Sequence, residues 1–230
     1  GSFRVNAIPN SAGWWKSVDH VDYDHDGDQD LLMGNMGLNS KIKASKQEPV
    51  NLYLEDFDQN GKLDAIMTLT LDGNEFIFNS GTSLQRQIPS IGSYFAADLD
   101  LAEAEKLSIV ELRSGVFINN GNSFRFEPFP NLMQISFIQD FLVADFDRNN
   151  SPDILSVGNL YPATMQEGRY ASSRGAMLTG FPESPQVLDF SQTGISIRGD
   201  TRGVARLNFQ SQDLILIAQN DDSIMWLKQR

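Results

Sequence analysis

One pattern recurs along the chain and limits its architecture more than any other feature. It reads Asp-x-Asp-x-Asp/Asn-Gly/Asn-x-x-Asp, followed by two apolar residues. Full copies begin at Asp22 ("DYDHDGDQDLL"), Asp56 ("DFDQNGKLDAI") and Asp145 ("DFDRNNSPDIL"). A worn copy, "DLDLAEAEKLSIV", begins at Asp98, and a weaker echo, "RLNFQSQDLILIA", begins at Arg206. The starts lie roughly 34, 42, 47 and then 60 residues apart, a spacing that suits units of three or four strands.

The flanks read as strands. "SFIQDFLVADF" and "DILSVGNL" surround the third full copy with apolar, β-rich runs. "GVFINNGNSFRFEPF" reads as a hairpin about Asn120-Gly121, and "NEFIFNSGTSLQRQI" as another about Ser80-Gly81. The tail "DLILIAQNDDSIMWLKQR" reads as strand, turn, strand. The one convincing helical candidate is the short "DLAEAEKL", inside the worn copy, where its propensity is open to being overridden. Each unit is thus a strand, an acidic loop and a strand, followed by a hairpin. Small antiparallel sheets of this kind must hide their edges and bury their faces, and radial packing does both. The fold expected is all-β: one domain over residues 1–230, a β-propeller of about five blades or part of a larger one. A sandwich is the rival, but it gives no reason for the loop to recur at one place in each unit.

Carboxylates at alternate positions repel one another, so the loops need a reason to exist. Oxygen-bearing side chains at positions 1, 3, 5 and 9, a carbonyl at position 7 and a sharp turn at position 6 can wrap a hard cation. Calcium takes six to eight oxygens at about 2.3–2.6 Å in flexible geometry. The turn favours Gly, or Asn as the next choice, in the left-handed region. The first loop (residues 22–30) supplies Asp22, Asp24, Asp26, the Asp28 carbonyl and Asp30, with Gly27 at the turn. The second (56–64) supplies Asp56, Asp58, Asn60, the Lys62 carbonyl and Asp64, with Gly61 at the turn. The third (145–153) supplies Asp145, Asp147, Asn149, the Ser151 carbonyl and Asp153, with Asn150 at the turn. About three calcium ions are expected, with a structural role. The worn loop (98–106) has Ala102, Glu103 and Lys106 at positions 5, 6 and 9, and the Lys106 ammonium is expected where an ion would sit. The echo (206–213) keeps only Asn208 and Asp213 and is too short to close a loop. An EF-hand fails twice: position 12 is Met33, Met67 or Ser156 instead of an acid, and the flanks are strands instead of helices.

Such loops in β-rich units resemble the FG-GAP repeats of integrin α-subunit propellers and the VCBS repeats of bacterial surface proteins. "IPNSAGWWKSV", "LLMGNMGLNSKIKASKQEPVNLYLEDFDQNGKLDAIM" and "MQEGRYASSRGAML" are similar to stretches of VCBS proteins of the ASPIC/UnbV type. The resemblance implies calcium between the first two strands of a blade, and export, with the chain secreted, periplasmic or attached to the cell surface. It also implies a piece of a larger protein, since those relatives are much longer.

Other chemistry is weakly represented. There is no cysteine, which excludes disulfides, zinc-thiolate sites and cysteine nucleophiles. The net charge is -12, with no basic stripe interleaved with aromatics, so nucleic acid is not an expected partner. Lys41, Lys43 and Lys46 in "SKIKASK" read as a solvated loop. No apolar run approaches the roughly 20 residues of a membrane span. The carboxylates are committed to the loops, and His20 and His25, the only histidines, have no evident Ser or Cys partner. The expected function is therefore a non-enzymatic, calcium-stabilised binding or adhesion module acting outside the cytoplasm on a glycan or protein. A polysaccharide lyase or glycoside hydrolase on a calcium-bearing propeller is the alternative. Trp14, Trp15, Arg169, Tyr170 and Arg174 are candidate ligand contacts, with packing as the plainer role.

Overall fold

The computed structural model describes residues 1–78, 88, 101–161 and 168–228. Their regular structure is almost entirely β, with fifteen strands in four antiparallel sheets, none closed into a barrel. The chain divides into two compact units, Lys41–Leu112 and the remainder, Gly1–Ser40 with Arg113–Arg230. The larger unit begins with β1 (Ser17–Val21) and β2 (Asp30–Gly34). The smaller unit holds β3 (Val50–Glu55), β4 (Asp64–Leu71), β5 (Asn74–Ile77) and β6 (Glu105–Ile109). The larger resumes with β7 (Gly115–Asn119), β8 (Phe124–Pro128), β9 (Ile138–Ala144), β10 (Asp153–Gly158) and β11 (Ala176–Thr179). It closes with β12 (Gln186–Leu188), β13 (Asp200–Phe209), β14 (Gln212–Asn220) and β15 (Met225–Lys228).

The larger unit has sheets ordered β1-β2-β7-β8, β12-β11-β10-β9 and β13-β14-β15. Period-two alternation explains how they pack. In β10, Ile154 and Leu155 are adjacent and both fully buried. Ile154 joins Leu32, Val116, Ile118, Phe141 and Leu178 in one core, whereas Leu155 joins Val157, Ile197 and Ile217 in another. The β9–β12 sheet is therefore covered on both faces. That is why "DILSVG" is buried along its whole length instead of alternating.

Two sequence expectations change here. The hairpin about Asn120-Gly121 forms as expected, as β7 and β8, but it does not head a new sheet. It returns to β2, with Leu31 opposite Phe117 and Met33 opposite Gly115, so the smaller unit is an insertion within the first sheet's sequence. The worn copy gives no helix among its described residues. Its second half becomes β6, which pairs with β3 from Leu54/Glu105 to Val50/Ile109, so cross-strand pairing overrides the helical propensity of "EAEK". Asp98 and Asp100, and the turn expected at Ser80-Gly81, lie outside the described residues. The fifth echo forms the tight β13–β14 hairpin, with Gln210 and Ser211 at φ 51° and 61°. The five-blade count is not reproduced: the described strands form four sheets.

The smaller unit has its own core of Tyr53, Ile66 and Ile88, and its sheet is ordered β5-β4-β3-β6. Glu75 on β5 anchors a polar network across it. Asn51 Nδ2 donates to Glu75 Oε1 at 2.7 Å, Tyr53 Oη to both carboxylate oxygens at 3.0 Å, and the Thr68 hydroxyl to Oε1. Lys106 Nζ stands 3.9 Å from Oε2 and 5.0 Å from the Tyr53 ring centroid. The Lys106 ammonium therefore serves this network, while the Asp98 and Asp100 beside which it was expected lie outside the described residues. Burial pushes the Glu75 pKa up, but the hydrogen bonds from Thr68, Asn51 and Tyr53 and the Lys106 charge outweigh it and hold the carboxyl below its ordinary range. A depressed carboxylate contributes stability above its unfolded pKa and loses it as pH falls through the folded one. Glu75→Ala should cost the smaller unit about 2–3 kcal/mol near neutral pH, because fully buried Asn51 and Thr68 lose their acceptor. Denaturant titrations at pH 7 and pH 3 should show this deficit shrinking in acid.

Candidate metal centres

The three full copies of the pattern join β1 to β2, β3 to β4 and β9 to β10, and they do so in one register. Val21 pairs with Asp30, Glu55 with Asp64, and Ala144 with Asp153. The residue before position 1 therefore faces position 9 in every loop. Position 6 is left-handed in each, with φ 97° at Gly27, 84° at Gly61 and 66° at Asn150. Position 4 is left-handed too, at His25, Gln59 and Arg148, which the pattern did not announce.

The hydrogen bonds repeat as well. The position-6 N–H donates to the position-1 carboxylate: Gly27 to Asp22 at 3.2 Å, Gly61 to Asp56 at 2.7 Å and Asn150 to Asp145 at 3.0 Å. The position-7 N–H donates to the position-5 side chain: Asp28 to Asp26 at 3.0 Å, Lys62 to Asn60 at 3.0 Å and Ser151 to Asn149 at 2.7 Å. Local Asx bonding of this kind turns the backbone sharply and gathers the side chains on the inside of the loop.

Three clusters of carboxylates result: Asp22, Asp24 and Asp26; Asp56, Asp58 and Asp64; and Asp145, Asp147 and Asp153. Within each, one oxygen per residue lies within 4.8 Å of the others, which is close enough to hold a metal ion. Position 9 is buried in all three loops, at 0% exposure for Asp30, 5% for Asp64 and 1% for Asp153. Asp64 Oδ2 and Asp153 Oδ1 are buried without a hydrogen-bond donor. So are Asp22 Oδ1, Asp24 Oδ1 and Asp28 Oδ1 in the first loop. A buried carboxylate oxygen without a donor is costly, and a cation is the partner that several converging oxygens can share.

The first loop departs from the other two. Asp30 Oδ2 accepts the Tyr23 N–H at 2.7 Å, as Asp153 Oδ2 accepts that of Phe146 at 2.8 Å. Its second oxygen, however, accepts the Asn119 N–H at 2.7 Å, from the end of β7. Asp30 is not part of that loop's three-carboxylate cluster. Asp28, expected to offer its carbonyl, also has a side-chain oxygen buried without a donor. Desolvation and then the charges of Asp26 and Asp30 push the Asp24 and Asp28 carboxyls above the ordinary range. Desolvation, then Asp147 and Asp145, do the same to Asp153. Each shift marks a carboxylate that the fold holds in an unfavourable field.

The other candidate residues have plainer surroundings. His20 lies exposed on β1 beside Asp19, and His25 is exposed within the first loop. Trp14 and Trp15 precede β1. Both are half-buried, with Trp15 edge-on to Phe117 and Phe126. Tyr170 is buried against Phe137, and its hydroxyl meets the Ser40 hydroxyl at 3.1 Å. Lys41, Lys43 and Lys46 are exposed between β2 and β3, as a solvated loop requires. Comparison with protein-family models, curated proteins and solved structures yields no match to the chain.

Proposed function

We propose that each of the three loops holds one calcium ion, and that the chain is a calcium-stabilised binding module of the FG-GAP/VCBS kind. In this reading the sheets are blades of a β-propeller, whole or part, and the module binds a glycan or protein without turnover. The observation that carries the proposal is the repetition of one cage. Register, left-handed turns and inward Asx bonds recur three times, and each loop holds at least one buried carboxylate oxygen that lacks a donor. Three divalent ions would add six charges to the formal -12 and bring it to -6. Calcium suits these sites better than magnesium, because loops mixing carboxylates, Asn side chains and carbonyls are irregular, and magnesium demands near-ideal octahedra. None of the loops has the bidentate acid at position 12 that strengthens an EF-hand. Their affinity should therefore fall toward the roughly 10⁻⁴–10⁻³ M of extracellular modules. Calcium titration of the ion-free chain, followed by calorimetry and native mass spectrometry, should reach three ions per chain, with magnesium competing poorly. Saturation at one ion or none would overturn the reading.

A further inference from the structure

In the larger unit, β1 and β9 run toward their acidic loops, and the residues that enter them gather at the opposite end. Ser17 pairs with Gly34, Gly158 with Ile138, and Asp200 with Asn220, so β2 and β10 leave the sheets where β1, β9 and β13 enter. Side chains lace this end together. Asn159 Nδ2 donates to the Ser173 and Gly199 carbonyls at 3.0 Å each, and Asn39 Nδ2 to Ser172 Oγ at 3.2 Å.

The loop end holds the first and third acidic cages. The opposite end carries Lys16, Arg169 and Arg174, each set beside an aromatic ring, together with Arg198 and Arg202. Lys16 Nζ lies 5.7 Å from the Trp14 centroid and 5.6 Å from that of Phe137. The Arg174 guanidinium lies 4.6 Å over Phe190, and that of Arg169 lies 5.0 Å over Tyr161. The acids nearby are engaged in part, although one Asp200 oxygen is buried without a donor and Asp221 and Asp222 are exposed in the turn after β14. Asp200 pairs with Arg202 at 2.7 Å, and Asp189 Oδ1 accepts the Ser191 N–H at 2.8 Å and its hydroxyl at 2.6 Å. Desolvation and then the Arg202 charge lower the pKa of Lys16, so an anion there would be welcome. Beside Arg174 is a cavity of about 220 Å³ whose lining includes Leu132, Ile135, Ser172, Ser173 and Phe190, and also the Asp189 carboxylate, which is turned to the Ser191 N–H and hydroxyl.

Taking the chain as a binding module, as above, we propose that this end is its ligand face. The ligand is an acidic glycan, with one uronate sugar seated beside Arg174 and the chain continuing toward Lys16. The chemistry is specific. A guanidinium fork grips a carboxylate through two parallel hydrogen bonds. Serine hydroxyls meet sugar hydroxyls, and aromatic faces cover the ring's C–H face. The cavity is smaller than the roughly 300 Å³ at which drug-sized pockets begin, so it admits one sugar and not a folded chain. Nucleic acid fits less well, because the chain is strongly acidic and its cations are separated by rings instead of tracking a backbone.

The test uses the calcium-saturated full chain at about 0.1 M salt, where screening extends to roughly 10 Å. Tetragalacturonate, neutral galactotetraose and a (dT)12 strand are titrated by calorimetry. Tetragalacturonate should bind at least about tenfold tighter than either of the others, and Lys16→Gln and Arg174→Gln should each weaken it about tenfold. Arg174→Lys should fall between, because it keeps the charge and loses the fork. Arg125→Gln, which makes the same charge change at an exposed pair with Glu127 on β8, should leave binding unchanged. Equal binding of the neutral sugar, tighter binding of (dT)12, or equal losses in all the glutamine variants would overturn the assignment. If a chain whose melting responds to calcium ignores tetragalacturonate, the ligand assignment alone fails. If melting does not respond to calcium, the reading beneath it fails.

Discussion

Calcium added to the ion-free chain should raise its melting temperature by about 5–10 °C for each occupied loop, and EDTA should reverse the rise. A site held at about 100 times its Kd contributes about 2.7 kcal/mol, and 1 kcal/mol moves Tm by about 2–4 °C at this chain length. The physical source is the relief of like-charge crowding. In the first loop five aspartates occupy residues 22–30. Buried oxygens of Asp22, Asp24 and Asp28 have no donor there, and a divalent ion supplies one shared partner. The larger unit carries two of the three loops and the smaller unit one, so the larger unit's transition should move further. Differential scanning calorimetry with and without calcium is the direct measurement. A melting curve indifferent to calcium would falsify the structural role of the loops.

The second large effect is a change of sign. Asp153 is buried at position 9 of the third loop. One of its oxygens is satisfied by the Phe146 N–H at 2.8 Å, and the other is left without a donor. Without calcium, Asp153→Asn should stabilise the chain by up to about 1 kcal/mol. The amide keeps the acceptor for Phe146, removes a charge held in a desolvated acidic field, and can donate to Asp145 or Asp147. With calcium the same substitution should destabilise by about 2–3 kcal/mol, because the loop loses a charged ligand and with it most of the ion's contribution. Chemical denaturation of both proteins, each with and without calcium, forms a four-way comparison. Destabilisation of equal size in both conditions would make Asp153 an ordinary buried hydrogen-bonding residue.

Much of the candidate site was legible because each cage is local. Positions 1 to 9 lie within nine consecutive residues, and the short side chains of Asp and Asn bond to nearby backbone N–H groups whatever the rest of the chain does. The turn at position 6 could be read from Gly27, Gly61 and Asn150, since few residues tolerate positive φ. The left-handed residue at position 4 could not, because His25, Gln59 and Arg148 share no composition that marks it. The β7–β8 hairpin and the β14–β15 turn were equally readable from alternation and turn residues, whereas "NEFI" forms the second arm of a hairpin that turns at Asp72-Gly73. Which strands pair was not readable. "EAEKLSI" has helical propensity, yet it fills the free edge of β3, where unpaired backbone groups outweigh a preference worth fractions of a kcal/mol per residue.

The sequence by itself determined the three cages, their common register and the all-β character, because these follow from side-chain periodicity and bonding over a few residues. Tertiary structure alone decided which distant strands pair. The edge of β2 is completed by a hairpin beginning at Gly115, across the whole inserted unit, since a strand edge accepts any partner of suitable pattern however distant in the chain. That pairing also alters the copy that looks best preserved in sequence. It carries the Asn119 N–H to Asp30, so both oxygens of that position-9 carboxylate accept backbone N–H groups, whereas Asp64 and Asp153 each keep one oxygen without a donor.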